Sequence, residues 1–342
     1  MKNIDFEGMV HRCIDLFFEY LYPLTPLFGT RSGAHRLAPW ANATFILVTA
    51  VCAEAAFMLP KDIFPEGESV AEVFLQASRD GLHQHLEYDL ENPNANSIAI
   101  RYFHSNCLHA IGKPKYSWHI FGEAIRLAQV MYLHDESSLK DLYPIEAEMR
   151  RRCFWILYLG DKSAAILNNR PVTIHKYCFD SGISTGYPSG IEDELLGPSP
   201  SASELPRRSF IAGFNANVRL WQSAADLLLE IRLLLQHQAH QNYSPGSVNS
   251  GSMLSTAERQ TLDSLYVRFI TCLDDLPPYL QRFSLASSAS TPEAKQFVIQ
   301  TTNLQVTLHC LRMVIEQKFE ELSYYAPGLE HADLRKSRRS AS

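Results

Sequence analysis

The sequence predicts an all-α protein, a multi-helix bundle with long surface loops. Apolar residues recur at the spacing of helix faces along most of the 342 residues, and hydrophobic residues make up 46% of the chain. Clusters of Pro, Gly, Ser and Asn separate these stretches, and no segment shows the alternation typical of a half-buried strand. The length suits one large helical domain or about two domains.

Helices are predicted where an apolar face follows a start signal or precedes a stop signal. Ser69 and Ser255 are each followed by Glu three residues later, the pattern of a capping box, and Ser117 stands before another apolar face. Pro and Gly mark the ends. The predicted helices are Phe6–Tyr20, Ala41–Leu59, Ser69–Leu82, Ser97–Ile111, Ser117–Tyr132, a helix within Glu146–Ile174, Asn217–Gln236, Ser255–Leu273 and Phe297–Leu322.

The clearest helical pattern lies within Glu146–Ile174. Its first part carries two acid–arginine pairs four residues apart, with the acid first, which is the favourable order in a helix. Residues Cys153–Leu159 are apolar on every side, so we expect a central helix with other helices packed around it. Asn169 tolerates left-handed backbone and Pro171 cannot continue a helix, which predicts a fixed stop. The two pairs are Glu146 with Arg150 and Glu148 with Arg152.

This segment resembles the signature of the fungal-specific transcription factor domain, the regulatory middle homology region of fungal binuclear zinc-cluster transcription factors. The shared pattern is Glu-x-Glu-x-Arg-Arg-Arg-x-Phe-Trp-x-Leu-Tyr-x-x-Asp, followed by a turn and Arg-Pro. The family usually has Gly before Arg-Pro, whereas this chain has Asn169, the next best residue for such a turn. The resemblance rests on Glu146, Glu148, Arg150, Arg151, Arg152, Phe154, Trp155, Tyr158, Asp161, Arg170 and Pro171.

Shorter stretches resemble the same family in the same order: Phe17–Phe28, Ala50–Ala56 and Phe121–Gln129. The resemblance is strongest over residues 117–175. It implies one regulatory domain over residues 1–325, with Phe179–Pro206 as a long surface loop. Residues 326–342 are then expected to be a basic, disordered tail and a candidate nuclear localisation signal.

The resemblance implies a regulatory domain that acts in the nucleus on RNA polymerase II transcription of a metabolic or biosynthetic pathway. Full-length relatives bind zinc and DNA through a compact cysteine cluster, whereas the seven cysteines here are scattered without a CxxC, and we expect them to be buried, reduced thiols. We therefore expect no zinc or other cofactor in this chain, and DNA contact only through a domain that it does not include. Expected partners are other transcription regulators or a second copy, with a small-molecule effector as a candidate and no membrane.

Two alternatives stay open. One is a DNA-binding-deficient interaction module, such as an inhibitor that pairs with a full activator. The other is an all-α enzyme such as a terpene cyclase, which needs an aspartate-rich magnesium motif; Asp274-Asp275 and Asp135-Glu136 each lack the third carboxylate. We expect no catalytic, cofactor-binding or metal-binding residues and a structural role for the signature. Asp161, inside an apolar helix, should form an internal ion pair or a cap.

A small-molecule pocket is predicted beside Trp155. Several predicted helices bring aromatic side chains to one core, and sites between bundled helices are typically apolar with a few polar groups. The alternative is that the same side chains are simply packed core. The aromatic residues concerned are Phe17, Phe45, Trp118, Phe121, Trp155 and Trp221.

We expect this chain alone to bind no specific DNA site. Its net charge is −6 and its sequence pI is about 6.1, whereas DNA-reading domains are usually basic. A fluorescence anisotropy titration measures this at about 150 mM salt, because such affinities depend steeply on salt. Saturable binding to one duplex, with a scrambled duplex left unbound, would contradict the expectation.

Overall fold

The computed structural model of the protein describes residues 6–27, 42–175, 186–189, 209–242, 254–281 and 292–325. All regular elements in these ranges are helical, which confirms the all-α class. The predicted tail and most of the predicted loop lie outside the described residues. The α-helices described are α1 (Phe6–Leu16), α2 (Asn42–Met58), α3 (Gly67–Gln84), α4 (Leu86–Glu91), α5 (Ala95–Ala110), α6 (Pro114–Val130), α7 (Pro144–Leu167), α8 (Phe210–Asn242), α9 (Thr256–Thr271) and α10 (Pro292–Glu321).

The described residues form two compact units. The first contains the chain up to Val218 together with Leu276–Asn303, and the second contains Arg219–Asp275 together with the chain from Leu304 onward. None of the described helices combines the length and the apolar character needed to cross a membrane.

Helix α1 does not continue to Tyr20 as an α-helix. It passes into a π-helical turn at Phe17–Leu21, where the N–H of Tyr22 donates to the carbonyl of Phe17 at 2.8 Å. A π turn inserts one extra residue into a helix and rotates the face that follows. Phe17 and Phe18 are both buried as a result, although they are neighbours in sequence.

Helix α2 shares the central position with the signature helix. It packs against α1, α3 and α5, whereas α7 packs against α5 and α6. Small side chains such as Ala50, Cys52 and Ala53 are 0% exposed, and they let the neighbouring helices come close. The first unit therefore has two helices at its centre, because α2 is also apolar on all sides.

One carboxyl group lies within this apolar packing. Glu54 of α2 is 4% exposed; Nδ2 of Asn106 donates to its Oε1 at 2.9 Å, and Sγ of Cys107 to its Oε2 at 3.8 Å. Burial raises the pKa of Glu54 to about 8, and the two hydrogen bonds only partly oppose this. The side chain is therefore mostly protonated at neutral pH.

Only one of the three predicted serine caps is present. At Ser255, Oγ accepts the N–H of Glu258 at 3.2 Å and the capping box is complete. Helix α3 instead begins at Gly67, and Ser69 Oγ donates to a carbonyl of the preceding turn. Helix α6 begins at Pro114, because Pro is pre-set for the first helical position, which leaves Ser117 inside the helix.

The second unit has an aromatic centre of its own. The ring of Phe319 on α10 lies 4.2 Å from that of Tyr324 and 5.5 Å from that of Tyr266 on α9, measured between centroids. Arg268 of α9 forms an ion pair with Asp226 of α8. These contacts join α9 to the parts of α8 and α10 that belong to this unit.

Most cysteines of the described ranges fit the expectation of enclosed, reduced thiols. They are free of disulfides, and burial is greatest in the first unit. Cys272 is half-buried and Cys310 is exposed, so the expectation was too broad for the second unit. The buried cysteines are Cys13, Cys52, Cys107 and Cys153.

Helices α6 and α7 approach closely where Gly160 of α7 faces the ring of Phe121. A Cβ atom on Gly160 would lie 2.8 Å from Cε2 of that ring, closer than such atoms come in proteins. Phe121 is itself buried and stacks on Trp118 with ring centroids 5.7 Å apart, so it has little room to move. A Cβ atom added to Gly122 of α6 would meet no atom within 4 Å.

Gly160→Ala should lower the free energy of unfolding by about 1–3 kcal/mol, because the added methyl group overpacks the contact with Phe121. Gly122→Ala is the matched control, and it should raise stability by up to about 1 kcal/mol, the usual gain at an unhindered helix position. Urea unfolding followed by circular dichroism compares both variants with the unmodified protein. Equal effects of the two substitutions would contradict the packing argument.

Candidate regulatory site on the signature helix

The predicted signature helix is α7, Pro144–Leu167. Beyond its end, Asn169 has a φ of 51°, which is left-handed backbone. The N–H of Arg170 then donates to the carbonyl of Ala164 at 3.2 Å. The predicted stop before Pro171 is confirmed, with Asn169 in the position that the family usually gives to Gly.

Two oppositely charged side chains of α7 are enclosed by protein. Glu148 and Arg152 are each 0% exposed, and Arg152 Nε donates to Glu148 Oε1 at 3.0 Å. Nη1 of Arg152 donates to the carbonyl of Pro26 at 3.2 Å, which ties the N-terminal Pro-rich turn to α7. An enclosed ion pair is costly unless further hydrogen bonds stabilise its charged groups. Glu148 therefore needs donors besides Arg152.

Those donors come from the four residues Gly186–Ser189, which we call the docked segment. The N–H and Oγ of Ser189 donate to Oε1 and Oε2 of Glu148 at 2.9 and 3.1 Å. At the other end, the N–H of Gly186 donates to Oε2 of Glu136 at 2.9 Å. A carboxylate thus holds each end of the docked segment.

The docked segment covers Trp155 of α7. Tyr187 stacks on the indole ring, with centroids 4.9 Å apart and planes inclined by 27°. Trp155 Nε1 donates to the carbonyl of Gly186 at 3.1 Å, and the rings of Phe154 and Tyr158 meet the indole edge-on. Trp155 is 4% exposed whereas Tyr187 is 43% exposed. The enclosure of Trp155 therefore depends partly on the docked segment.

Glu136 was missed as a site residue by the sequence interpretation. It begins a short 3-10 turn ahead of α7, and Arg151 Nε donates to its Oε1 at 2.7 Å. This hydrogen bond lowers the pKa of Glu136 and keeps it ionised as an acceptor for Gly186. No local pattern marks Glu136, because Arg151 lies 15 residues away and Gly186 lies 50 residues away.

Each of the three consecutive arginines of α7 has a different carboxylate as its nearest partner, as their spacing around a helix predicts, although Arg151 also lies 3.6 Å from Glu148. Arg150 pairs with Glu146 at 2.6 Å, and the same carboxylate accepts the N–H of Ala95 at 3.0 Å, at the start of α5. Arg151 pairs with Glu136 and Arg152 pairs with Glu148. The predicted pairing of Arg150 with Glu146 and of Arg152 with Glu148 is confirmed.

Asp161, which is 0% exposed within α7, holds the chain that follows the helix. Its Oδ1 accepts the N–H of Thr173 at 2.9 Å and its Oδ2 accepts that of Ile174 at 3.0 Å. Lys162 Nζ lies 3.0 Å from Oδ2 and donates to the carbonyl of Ile174. The prediction of an internal ion pair or cap is confirmed, since Asp161 does both.

The remaining signature residues complete this core. Phe154 is 3% exposed and Tyr158 is 2% exposed. The guanidinium of Arg170 lies 5.6 Å from the ring centroid of Trp118 on α6. Pro171 stands in the turn that Asn169 opens. The signature thus builds one helix, its stop and the surface on which the docked segment lies.

The profile of the fungal specific transcription factor domain matches residues 14–267, well over half of the chain. The chain belongs to this family. The matched range contains α7 and the docked segment, so the contacts described above lie within the family's domain. No solved structure matches the chain significantly.

Curated relatives of this fungal transcription factor domain are themselves transcription regulators. The chain is 39% identical over 92 residues to the aurofusarin cluster transcription factor aurR2 of Gibberella zeae, covering 27% of the chain and 13% of that relative. It is 34% identical over 85 residues to the ABC-transporter-regulating transcription factor of Aspergillus oryzae, covering 25% and 10%. It is 36% identical over 66 residues to the citrinin biosynthesis transcriptional activator mrl3 of Monascus ruber, covering 18% and 13%. The alignments thus span between 10 and 13% of these relatives' lengths.

The acidic motifs considered for a cyclase serve other contacts in the described residues. Asp275 forms an ion pair with Arg219 at 2.9 Å, and Asp135 accepts the N–H of Ser137 at 2.9 Å. Across the described ranges, no three His, Cys, Asp or Glu side chains are grouped so as to hold a metal ion.

The predicted small-molecule pocket beside Trp155 stays a prediction. Tyr187 occupies one face of the indole ring. A cleft of about 290 Å³ lies elsewhere, between α2 and α3, with Ile46 and His85 in its lining. Of the six aromatic residues expected to share one core, Trp221 belongs to the second unit and the others to the first.

Glu148→Gln should lower the free energy of unfolding by about 3–5 kcal/mol, because it leaves Arg152 enclosed without a counter-charge. Glu316→Gln is the matched control, since Glu316 and Arg312 form an i,i+4 pair whose side chains are 29% and 54% exposed. Its loss should cost less than about 1 kcal/mol. Chemical denaturation of both variants gives the two values, and a cost at Glu148 no larger than at Glu316 would contradict the argument.

Proposed function

We propose that the chain is the regulatory helical domain of a fungal pathway-specific regulator, which controls RNA polymerase II transcription of metabolic or biosynthetic genes in the nucleus. The observation that carries this proposal is where the charged residues of the signature make their contacts. These residues form hydrogen bonds inside the protein, where they stabilise a scaffold and hold the docked segment on it. A scaffold of this kind suits a domain that works through its shape and its contacts.

The names of the relatives support the same reading. They include a gene-cluster transcription factor, an activator of citrinin biosynthesis and a pyrimidine pathway regulatory protein of Saccharomyces cerevisiae. We propose that DNA is reached through a zinc-cluster domain of the kind that full-length relatives carry. The net charge of −6 favours protein partners over nucleic acid for this chain.

The proposed partners are other transcription regulators or a second copy of the chain. The proposal also includes a small-molecule effector that binds the chain. The cleft between α2 and α3 has about 290 Å³, near the lower end of the usual range for small-molecule sites. An apolar wall at Ile46 and polar groups at Asp80 and His85 give it the mixed lining that such sites show.

Tethering the chain to an unrelated DNA-binding domain in a fungal host tests the proposal. We expect the output of an RNA polymerase II reporter to change relative to the DNA-binding domain alone, because a regulatory domain acts where it is tethered. An unchanged reporter, together with reduced output from a co-expressed full-length activator, would instead support the inhibitor module. No change in either assay would overturn both readings.

A further inference from the structure

We propose that Ser189 is a phosphorylation site for a protein kinase that recognises acidic residues, and that phosphate on Ser189 releases the docked segment from α7. The release follows from the contacts of the docked segment alone. Its use as a regulatory device rests on the proposed function.

The sequence after Ser189 suits such a kinase. Glu192, Asp193 and Glu194 stand three, four and five residues after the serine. A kinase with a basic groove beside its active site favours substrates with acids at fixed distances from the serine. Ser189 is also exposed, although its hydroxyl is bound to Glu148.

The reaction needs ATP and the kinase as co-reactants. The Ser189 oxygen attacks the γ-phosphorus of ATP, so that a new oxygen–phosphorus bond forms while the bond to the ADP oxygen breaks. The hydroxyl proton passes to the catalytic base of the kinase, and ADP leaves. The product is phosphoserine, with about −1.5 to −2 charge at neutral pH.

That charge would arise at the point where the docked segment is anchored. Ser189 Oγ lies 3.1 Å from Oε2 of Glu148, a carboxylate with 1% of its side chain exposed. Phosphorylation removes the hydroxyl donor and places like charges side by side in a poorly solvated position, where repulsion is strong. The N–H of Ser189, which donates to the same carboxylate at 2.9 Å, is carried away with it.

Two nearby cations within the described ranges are already engaged. Arg152 is 0% exposed and donates to Glu148 and to the carbonyl of Pro26. Arg151 uses Nε and Nη2 for Glu136, so its Nη1, which lies 3.6 Å from Glu148, is the donor for which a phosphate would compete. We expect the like charge beside Glu148 to outweigh that one contact, so that the segment loosens.

Release would uncover the indole of Trp155. Its ring would lose the stacking of Tyr187, and Nε1 would lose the carbonyl of Gly186. The carbonyl of Pro188 would also leave Asn215 of α8. A covered apolar surface on α7 would thereby become available to another molecule.

Ser255 provides an internal comparison. It also has Glu at the third following position, but Glu258 is engaged with both the N–H and Oγ of Ser255 in the capping box. Arg259 comes next, where an acid would be expected in a favourable substrate. A kinase of this class should therefore modify Ser189 in preference to Ser255.

The test treats the purified chain with an acidic-directed serine kinase and Mg-ATP, and mass spectrometry then locates the phosphate. Hydrogen exchange is followed in peptides that cover the docked segment, α7 and the Ser255 cap. We expect phosphate on Ser189, with exchange in the docked segment about ten- to a hundredfold faster, as for the loss of a hydrogen bond to a charged group. Exchange at the Ser255 cap should not change.

Two variants serve as controls. Ser189→Ala should take up no phosphate at this position and keep the slower exchange, because its N–H can still donate to Glu148. Glu192→Gln should reduce the extent of modification. Failure of the kinase to modify Ser189, or a modified protein with unchanged or slower exchange in the docked segment, would overturn the proposal. The reporter assay is independent of these measurements, so each proposal can fail alone.

Discussion

A buried ion pair within one turn of α7 is the contact on which the rest of the site depends. Taking Glu148 and Arg152 out of water can cost more than their mutual attraction returns, so further hydrogen bonds to the pair stabilise it. The carbonyl of Pro26 and the two donors of Ser189 supply such hydrogen bonds. Segments far apart in the chain are therefore fixed together by one electrostatic requirement, which makes their assembly cooperative.

Features that arise from neighbouring residues could be predicted from the sequence. The acid–arginine pairs of α7, its apolar centre and its stop at Asn169 follow from helical spacing and backbone preference, both of which are local. The need of Asp161 for a partner was also predictable, because an unpaired carboxylate is too costly inside a protein. Its actual donors were not, since they depend on how the chain returns after Pro171.

Features that arise from distant contacts could not be predicted in this way. The docked segment lies in a stretch where apolar residues show no helical or strand spacing. Glu136 lies in a short 3-10 turn, and its partner Gly186 is 50 residues away along the chain. The predicted caps at Ser69 and Ser117 were wrong for another reason, because the two helices had already begun at Gly67 and Pro114, and a proline at the first helical position is itself a local start signal. Local rules give the propensity of a segment, and the tertiary fold decides which of several possible starts is used.

The neutral carboxyl of Glu54 makes folding of the first unit a proton-uptake reaction. In the unfolded chain this group ionises near its ordinary value of 4.5, whereas in the fold it keeps its proton up to about pH 8. Its contribution is therefore complete below the lower value and declines as the pH rises through the upper one. Alkaline conditions draw this proton away and favour the unfolded chain, so the helices around α2 tolerate mild acid better than mild alkali as far as this group is concerned.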